Sequence, residues 1–347
     1  MAQNHKTMFL YAGQGSQTPG MGKDLYEANE CFRKAIDAAA DCLKEHAAAL
    51  HLPDEFDLKS LLFTGNATAS SGETTGQQIH ETAYTQPAMV AFACAMTDLL
   101  KEKGYEADYA AGLSLGEYSA LYAAGVLSLP EVVALARFRG VAMTNASAGV
   151  ESAMSAVLGL AQNTLEEICA AVTREAAENA EQGKKAVVSV CNLNCPGQIV
   201  IGGEASLVAE AARRAQEAGA RRCIPLKVSG PFHTAYMHKA GDALAEYFKT
   251  ITFSPARIPV MFNYIGKEVM PEKMDAETIQ DLLVQQVQNP VRMEEILRRC
   301  FALGIDHFVE IGPGKTLSGF VKKVAKDLGI EADAYSIESF ESAADFQ

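Results

Sequence analysis

A serine lies between two glycines in Gly112-Leu113-Ser114-Leu115-Gly116, which has the pattern Gly-x-Ser-x-Gly. A predicted strand precedes it and a predicted helix follows, the context of a nucleophile elbow. The glycines allow a sharp turn that lifts the serine hydroxyl clear of the sheet, and the Leu115 N–H points where an oxyanion would form. We predict that Ser114 is a nucleophile, although the pattern also occurs in turns without chemistry.

A serine nucleophile needs a general base, and His233 is the best candidate downstream of it. It follows a predicted strand, and loops at the carboxyl edge of a parallel sheet commonly hold sites. His238 falls inside the next predicted helix and should face solvent. His307 begins a strand whose other end meets the site, so it should lie on the wrong side. The alternative for His233 is a residue that only caps the next helix.

A second glycine-rich turn, Gly13-Gln14-Gly15, follows the first predicted strand. It lacks the Gly-x-Gly-x-x-Gly pattern and the Gly-Lys-Ser/Thr ending of nucleotide-binding loops. An oxyanion hole takes its two N–H donors from different loops. The N–H of Gln14 is therefore a candidate second donor, and a plain tight turn is the alternative.

Two arginines, Arg137 and Arg139, lie on one predicted helix. Residues two apart on a helix project about 200° from each other, so at most one of them faces the site. A buried arginine binds a carboxylate through two hydrogen bonds. The alternative for either one is a solvated surface side chain.

Strands and helices alternate along most of the chain, which predicts an α/β fold with a mainly parallel sheet. Residues 64–83 are rich in polar residues and glycine and predict a surface loop, and the last ten residues predict a loose acidic tail. The expected strands are 7–11, 109–113, 257–263 and 307–311. The expected helices are 23–50, one with Pro87 in its first turn and Gly104 at its end, 117–124, 130–146 and 235–249.

The middle of the chain has its own pattern, a strand-helix-strand-strand-helix-strand succession typical of a ferredoxin-like domain. Asn163 to Glu166 predicts a capping box at the start of its first helix. We therefore expect a small inserted domain at 148–229 and a discontinuous large domain at 1–147 and 230–347. The expected elements are strands 154–160, 186–192, 198–202 and 223–228, with helices 163–180 and 206–219.

Composition excludes several classes of protein. The 347 residues include 43 acidic and 30 basic side chains, a net charge of −13, which argues against a nucleic-acid binder. The longest apolar run, 88–96, is far shorter than the ~20 residues of a membrane span, and no secretory signal is evident. Eight cysteines without a Cys-x-x-Cys pair indicate reduced thiols in a cytoplasmic protein. Cys191 and Cys195 have no further ligand nearby, so we expect core residues rather than a metal site.

Six segments together resemble the malonyl-CoA:acyl carrier protein transacylase family. They occur in the family's order and spacing, and the resemblance covers essentially the whole chain. They are GQGSQ at 13–17, GLSLGEYSA at 112–120, Arg139-Gly140, PFH at 231–233, QVQNPVRM at 286–293 and EIGPGKTLSGF at 310–320. One departure is Leu113, where the family usually has histidine, and we expect it to change packing rather than activity.

The resemblance implies a role for each matching residue and a large α/β-hydrolase-like domain with a ferredoxin-like insertion. Arg139 matches the arginine that pairs with the malonyl carboxylate, and the main-chain carbonyl of Gln286 matches the group that orients the histidine. The other matches are Ser114 as acylated nucleophile, His233 as base, Gln14 and Leu115 as oxyanion donors, and Asn192 and Asn194 as residues facing the cleft.

The resemblance also implies a function. A malonyl group would pass from malonyl-CoA through a malonyl-serine to the phosphopantetheine thiol of acyl carrier protein, supplying fatty-acid synthesis. We expect no cofactor, no metal and no membrane or nucleic-acid partner. We also expect the protein to be a monomer. A polyketide-pathway acyltransferase, a serine esterase or thioesterase, and a non-catalytic scaffold remain alternatives. Candidate cations for docking the acidic carrier are Arg213, Arg221, Arg222, Lys315, Lys322 and Lys323.

Overall fold

The computed structural model describes residues 5–53, 55–67, 78–179 and 186–345, and it shows a mixed α/β fold with two sheets. In these ranges the strands are β1 Thr7–Tyr11, β2 Tyr109–Gly112, β3 Ser152–Leu158, β4 Val188–Cys195, β5 Gln198–Glu204, β6 Arg222–Pro225, β7 Val260–Phe262, β8 Lys267–Val269, β9 Val291–Arg292, β10 His307–Ile311 and β11 Asp333–Ile337. The helices are α1 Lys23–Ala28, α2 Glu30–Glu45, α3 Leu58–Thr64, α4 Thr82–Glu102, α5 Gly116–Ala123, α6 Leu129–Ser147, α7 Gln162–Asn179, α8 Ala205–Glu217, α9 His238–Phe248, α10 Ala276–Gln288, α11 Met293–Ala302, α12 Thr316–Leu328 and α13 Phe340–Asp345.

The larger sheet has six strands in the order β11-β10-β1-β2-β7-β8. All neighbours are parallel except β7 and β8. Four of the five residues of β1 are buried, as expected for a central strand covered on both faces. The register places Tyr11 beside both Gly112 and Ile311. The turns that follow β1, β2 and β10 therefore meet at one edge of the sheet.

The smaller sheet has the order β6-β3-β5-β4-β9. Its first four strands pair antiparallel, and α7 and α8 alternate with them in the order β3-α7-β4-β5-α8-β6. The fifth strand, β9, comes from the C-terminal half and runs parallel to β4. This pairing ties the middle segment of the chain to the segment that follows α10.

The helix expected over 23–50 is wrong, because the chain breaks it at Asn29. That residue is extended, and its side chain accepts a hydrogen bond from the Phe32 N–H. It ends α1 and caps α2, which stops at Glu45. Asparagine favours such caps because its short side chain bonds the free N–H groups of a first turn.

Pro87 lies inside α4 rather than in a first turn, so that prediction is also wrong. A proline within a helix removes the hydrogen bond to the carbonyl four residues earlier, here Ala83. The Nη1 of Arg137 donates to that carbonyl at 2.7 Å. The helix therefore continues through Pro87 because a side chain from α6 supplies the missing donor.

Other expectations need smaller corrections. α7 begins at Gln162 without the predicted capping box: Asn163 bonds the Thr164 N–H, and Gln162 donates to Glu166. Of the loop expected over 64–83, residues 68–77 lie outside the described residues, while Gln78–His80 forms a 3₁₀ turn. The segment expected to be a loose tail contains α13, whose Ala343 is buried. All eight cysteines are free thiols. No helix among the described ranges has the length and apolar character to cross a membrane.

Candidate active site

Ser114 occupies a strained turn between β2 and α5. Its φ is +52°, a left-handed conformation that non-glycine residues rarely adopt. The two flanking glycines have no room for a side chain. A Cβ on Gly112 would lie 1.9 Å from the Gly116 carbonyl carbon, and a Cβ on Gly116 would lie 2.1 Å from the Tyr11 oxygen. The Gly-x-Ser-x-Gly segment thus forms the predicted sharp turn at the sheet edge.

His233 lies against Ser114, on the loop after β6. Its Nε2 is 2.6 Å from Ser114 Oγ, and its Nδ1 is 2.8 Å from the main-chain oxygen of Gln286. A carbonyl oxygen only accepts, so neutral His233 carries its proton on Nδ1 and leaves Nε2 to accept from the serine hydroxyl. His238 is exposed at the start of α9, and His307 begins β10 at the far end of the sheet, both as expected.

The environment of His233 keeps it neutral. The side chain is 4 % exposed. Burial, followed by the positive charge of Arg139, lowers the pKa of His233 from 6.5 to about 4. Because the imidazole is unprotonated at neutral pH, it can accept the proton of Ser114.

Arg139 reaches the same place from α6 and is 1 % exposed. Its Nη2 donates to Ser114 Oγ at 3.2 Å and to Gln286 Oε1 at 3.1 Å, and its Nη1 donates to Gln86 Oε1 at 2.9 Å. The guanidinium lies over the Tyr118 ring, 5.2 Å from its centroid. No carboxylate of the described chain forms an ion pair with it, and its buried Nε has no hydrogen-bond partner there. The site therefore contains a desolvated cation with one unused hydrogen-bond donor, the Nε of Arg139.

Arg137 faces away from the serine, as expected of a residue two positions from Arg139. Besides Ala83, it donates to the main-chain oxygens of Leu50 and His51. This arginine bonds three main-chain oxygens on two segments, 50–51 and the first turn of α4, and has a structural role.

The turn after β1 packs directly against the elbow. A Cβ on Gly13 would lie 2.5 Å from the Leu113 oxygen. Across the described ranges, the backbone N–H groups of Gln14 and Leu115 have no acceptor. The Gln14 side chain is held by Thr82, whose hydroxyl accepts its amide at 2.9 Å. Two free N–H donors from two loops thus flank Ser114.

A cleft leads to Ser114, His233 and Arg139. Asn192 and Asn194 line it from β4, and the buried Oδ1 of Asn194 has no partner within the described residues. The apolar part of the wall is formed by Ala12, Leu113, Met143, Met154, Val200, Leu226, Val228, Phe232, Leu317 and Phe320. Cys191 and Cys195 are buried on the same strand, and the described part of the chain holds no cluster of three or more potential metal ligands.

Several residues at the site were not predicted from the sequence. Glu117 and Tyr118 directly follow the Gly-x-Ser-x-Gly pattern, which gave no reason to assign either a contact. Asn263 follows β7 at the same sheet edge as Ser114, and that position was a usable signal. Gln86 is one of several polar residues in the largely buried helix α4, and only the packing of α4 against α6 brings it to Arg139.

Comparison with known proteins gives a consistent set of relatives. The acyl transferase domain family matches residues 8–341. A Bacillus subtilis protein named malonyl CoA-acyl carrier protein transacylase is 41% identical over 323 residues, which cover 93% of this chain and 92% of that protein. A crystal structure described as MCAT from Streptococcus pneumoniae has a TM-score of 0.82 at 40% identity, covering 98% of both chains.

A third relative was solved with a partner. It is a malonyl-transacylase in complex with its type II polyketide synthase acyl-carrier protein. It has a TM-score of 0.84 and 32% identity, and the alignment covers 98% of each chain.

Proposed function

The chain belongs to the acyl transferase domain family, and from this we propose that it transfers the malonyl group of malonyl-CoA to the phosphopantetheine thiol of acyl carrier protein. It is thus an acyl-carrier-protein S-malonyltransferase of fatty-acid synthesis. The observation that carries the residue assignment is the 2.6 Å contact between Ser114 Oγ and His233 Nε2, with Arg139 donating to the same oxygen.

The first half-reaction makes an acyl-enzyme. Ser114 Oγ attacks the thioester carbonyl while His233 Nε2 takes the hydroxyl proton. The N–H groups of Gln14 and Leu115 stabilise the negative charge on the tetrahedral oxygen. The carbon–sulfur bond then breaks, and His233 returns the proton to the sulfur of CoA. The products are free CoA and a malonyl ester on Ser114.

The second half-reaction reverses these steps with a new thiol. His233 removes the proton of the carrier's phosphopantetheine thiol, and the sulfur attacks the ester carbonyl. The carbon–oxygen bond breaks and Ser114 regains its proton from His233. One thioester replaces another, so the balanced reaction needs no metal, nucleotide or redox cofactor.

Arg139 selects the acyl group in this mechanism. Its unpartnered Nε and its position next to Ser114 Oγ support a contact with the carboxylate of a bound malonyl group. An arginine holds a carboxylate in a planar, two-bonded geometry. Acetyl-CoA has no such group and would leave the buried cation unpaired, which selects against it. Asn192 and Asn194 line the cleft and are proposed to contact the substrate further from the serine.

The alternatives receive less support. A serine esterase or thioesterase would orient its histidine with an acid, whereas the group bonded to His233 Nδ1 is a main-chain oxygen. A non-catalytic scaffold would not need a left-handed serine bonded to a neutral, buried histidine. A polyketide-pathway acyltransferase would use the same chemistry, so the carrier supplied in an assay decides between the pathways.

The proposal includes a division of the chain into domains. Residues 1–147 and 230–347 form the large, α/β-hydrolase-like domain that supplies Ser114 and His233. Residues 148–229 form a ferredoxin-like domain that covers the cleft, supported by the β3-α7-β4-β5-α8-β6 order and antiparallel pairing. All proposed site residues come from one chain, which supports action as a monomer. The free thiols support a cytoplasmic location.

The carrier's approach depends on local charge, because the chain is acidic and acyl carrier proteins are acidic as well. Arg213 is paired with Glu210 and Glu217 and is a weak candidate for docking. Lys315 is exposed beside the cleft residue Thr316. The other exposed candidates are Arg221, Arg222, Lys322 and Lys323.

Intact-protein mass spectrometry tests the proposed function. Incubation with malonyl-CoA should add one malonyl group to the protein, and addition of acyl carrier protein should remove it while forming malonyl-carrier. Ser114→Ala should show no adduct but the same melting temperature. Rapid release of free malonate without a thiol would identify a hydrolase instead, and no adduct on the wild-type protein would refute the mechanism.

A further inference from the structure

Asn263 joins the segments that form the serine turn. Its side-chain Oδ1 accepts the Ser114 N–H at 2.6 Å, and its Nδ2 donates to the Gly112 oxygen at 2.7 Å. Its own N–H donates to Glu117 Oε2 at 2.6 Å, and its oxygen accepts the Arg292 N–H at 3.1 Å. The residue is completely buried, and both its main chain and its amide are in use.

The two groups bonded by the Asn263 amide belong to the strained turn. Two other N–H groups of the turn bond within the large sheet or to the turn itself: the Leu113 N–H donates to the Tyr11 oxygen, and the Gly116 N–H donates to the Leu113 oxygen. The Ser114 N–H and the Gly112 oxygen instead depend on a side chain from the end of β7. A left-handed serine persists only where its surroundings hold it.

Glu117 fixes Asn263 in turn. It lies in the first turn of α5, is completely buried, and accepts the Asn263 N–H. The contact connects the helix behind the nucleophile to the strand end that carries Asn263. Hydrogen bonds therefore connect Ser114 to Asn263, Asn263 to Glu117, and Glu117 back to Ser114. A shift of β7 would move the serine through these bonds.

We propose that Asn263 is a positioning residue for the nucleophile and that Glu117 holds Asn263 in place. Asn263 keeps the Ser114 backbone left-handed, and this directs Oγ towards His233 Nε2. The inference rests on the proposed transfer through Ser114, because it assigns Asn263 to the geometry of that residue. Asn263 is not among the residues that line the cleft, and it holds the nucleophile in place without reacting itself.

The test compares Asn263→Ala and Asn263→Asp with the wild-type protein. Misplacing a reacting atom by about 1 Å costs about 10²-fold in rate. Asn263→Ala should therefore lower kcat for malonyl transfer by about 10²-fold, with little change in KM because Arg139 is untouched. A serine-directed sulfonyl fluoride should modify Ser114 more slowly by a similar factor, measured by intact mass on protein shown to be folded by circular dichroism.

Asn263→Asp gives a readout that loss of stability alone would not move. A protonated aspartic acid can donate to the Gly112 oxygen and accept from the Ser114 N–H, as the amide does, whereas an aspartate can only accept. Activity of this variant relative to wild type should rise as pH falls. Asn263→Ala has no such group and should show no recovery.

Thr173→Ala is the matched control. Thr173 lies on α7, outside the cleft lining. Like the Asn263 amide, its hydroxyl bonds a backbone oxygen and a backbone N–H, here both of Val188. It should lose stability but keep kcat. The inference is overturned if Asn263→Ala retains wild-type kcat and Ser114 reactivity, if Thr173→Ala loses as much, or if Asn263→Asp shows no recovery. Absence of a malonyl adduct on wild-type protein would instead overturn the proposed function, a separate result.

Discussion

Gln286 contacts both His233 and Arg139, and it does so through different atoms. Its main-chain oxygen accepts from His233 Nδ1, and its side-chain Oε1 accepts from Arg139 Nη2. Its Nε2 donates to the main-chain oxygen of Ser114 at 2.8 Å. One residue of α10 thus fixes the base, the cation and the serine backbone relative to one another. The group that accepts from His233 Nδ1 is a neutral carbonyl. A carboxylate there would raise the pKa of His233 more strongly, because its negative charge stabilises the protonated imidazole.

The first prediction concerns the pH dependence of acylation. His233 must be unprotonated to act, so activity falls as pH drops through its pKa in the folded protein. At about pH 5.5 a histidine of ordinary pKa would be about nine-tenths protonated, whereas one with a pKa of about 4 is almost entirely neutral. The acidic limb of kcat/KM for malonyl-enzyme formation should therefore lie well below pH 6.5, measured by rapid-quench mass spectrometry.

His238→Ala is the control for this profile, because that histidine is exposed and outside the proposed site. The variant should reproduce the wild-type limb. Circular dichroism over the same pH range excludes unfolding as its cause. A limb at about pH 6.5 or above would contradict a buried His233 whose pKa is lowered.

The second prediction concerns acyl selectivity. Arg139→Ala should lower kcat/KM for malonyl-CoA by about 10²-fold more than for acetyl-CoA, because only the malonyl carboxylate loses a partner. The ratio is the informative quantity, since Gln86 and Gln286 also lose a partner and both reactions suffer. Arg139→Lys keeps the charge without the planar fork and should give an intermediate ratio. Equal losses for the two thioesters would refute the assignment.

Much of the site could be predicted because its parts follow local rules. The serine turn follows from a short strand, two glycines and a helix start, and the β1, β2 and β10 turns meet because parallel strands share a carboxyl edge. His233 could be preferred over His238 and His307 from position along the predicted elements alone. Each of these inferences needed only residues that are near in sequence or the topology of the sheet.

The rest required tertiary packing. Asn263 lies 149 positions from Ser114 in sequence and bonds its backbone, and no local pattern encodes such a contact. The helix through Pro87 failed as a prediction because its compensating donor, Arg137, comes from another helix. The break at Asn29 was missed because the apolar spacing continues across it, while a single capping side chain decides where the helix starts.

The third prediction concerns Glu117 and stability. Burial raises the pKa of Glu117 from the ordinary value of 4.5 to about 8 in the folded protein. The folded state therefore binds more protons than the unfolded state between these values, so the contribution to stability falls as pH rises through that window. Each pKa unit corresponds to about 1.4 kcal/mol. Glu117→Gln removes this dependence and should flatten the decline.

Urea unfolding at several values between about pH 5 and about pH 9 measures the effect. Glu331→Gln, which removes an exposed carboxylate, should keep the wild-type slope of unfolding free energy against pH. If the unfolding free energy of Glu117→Gln falls with rising pH as steeply as that of the wild-type protein, Glu117 is ionised in the folded protein across the range. The raised pKa of Glu117 would then be wrong.

The last prediction concerns carrier docking. Lys315 lies at the start of α12 next to the cleft, and Lys326 lies eleven positions later, about 16 Å along the helix axis. Lys315→Glu and Lys326→Glu change the net charge equally, so any difference between them reports local charge. At low ionic strength Lys315→Glu should slow malonyl transfer to acyl carrier protein by about tenfold and flatten its salt dependence.

Lys326→Glu should change neither the rate nor the salt dependence of this transfer. Transfer to pantetheine should be unaffected in both variants, because a neutral small thiol does not sense the electric field of the protein. Equal slowing by the two variants, or slowing with pantetheine as well, would show that Lys315 does not contribute to docking.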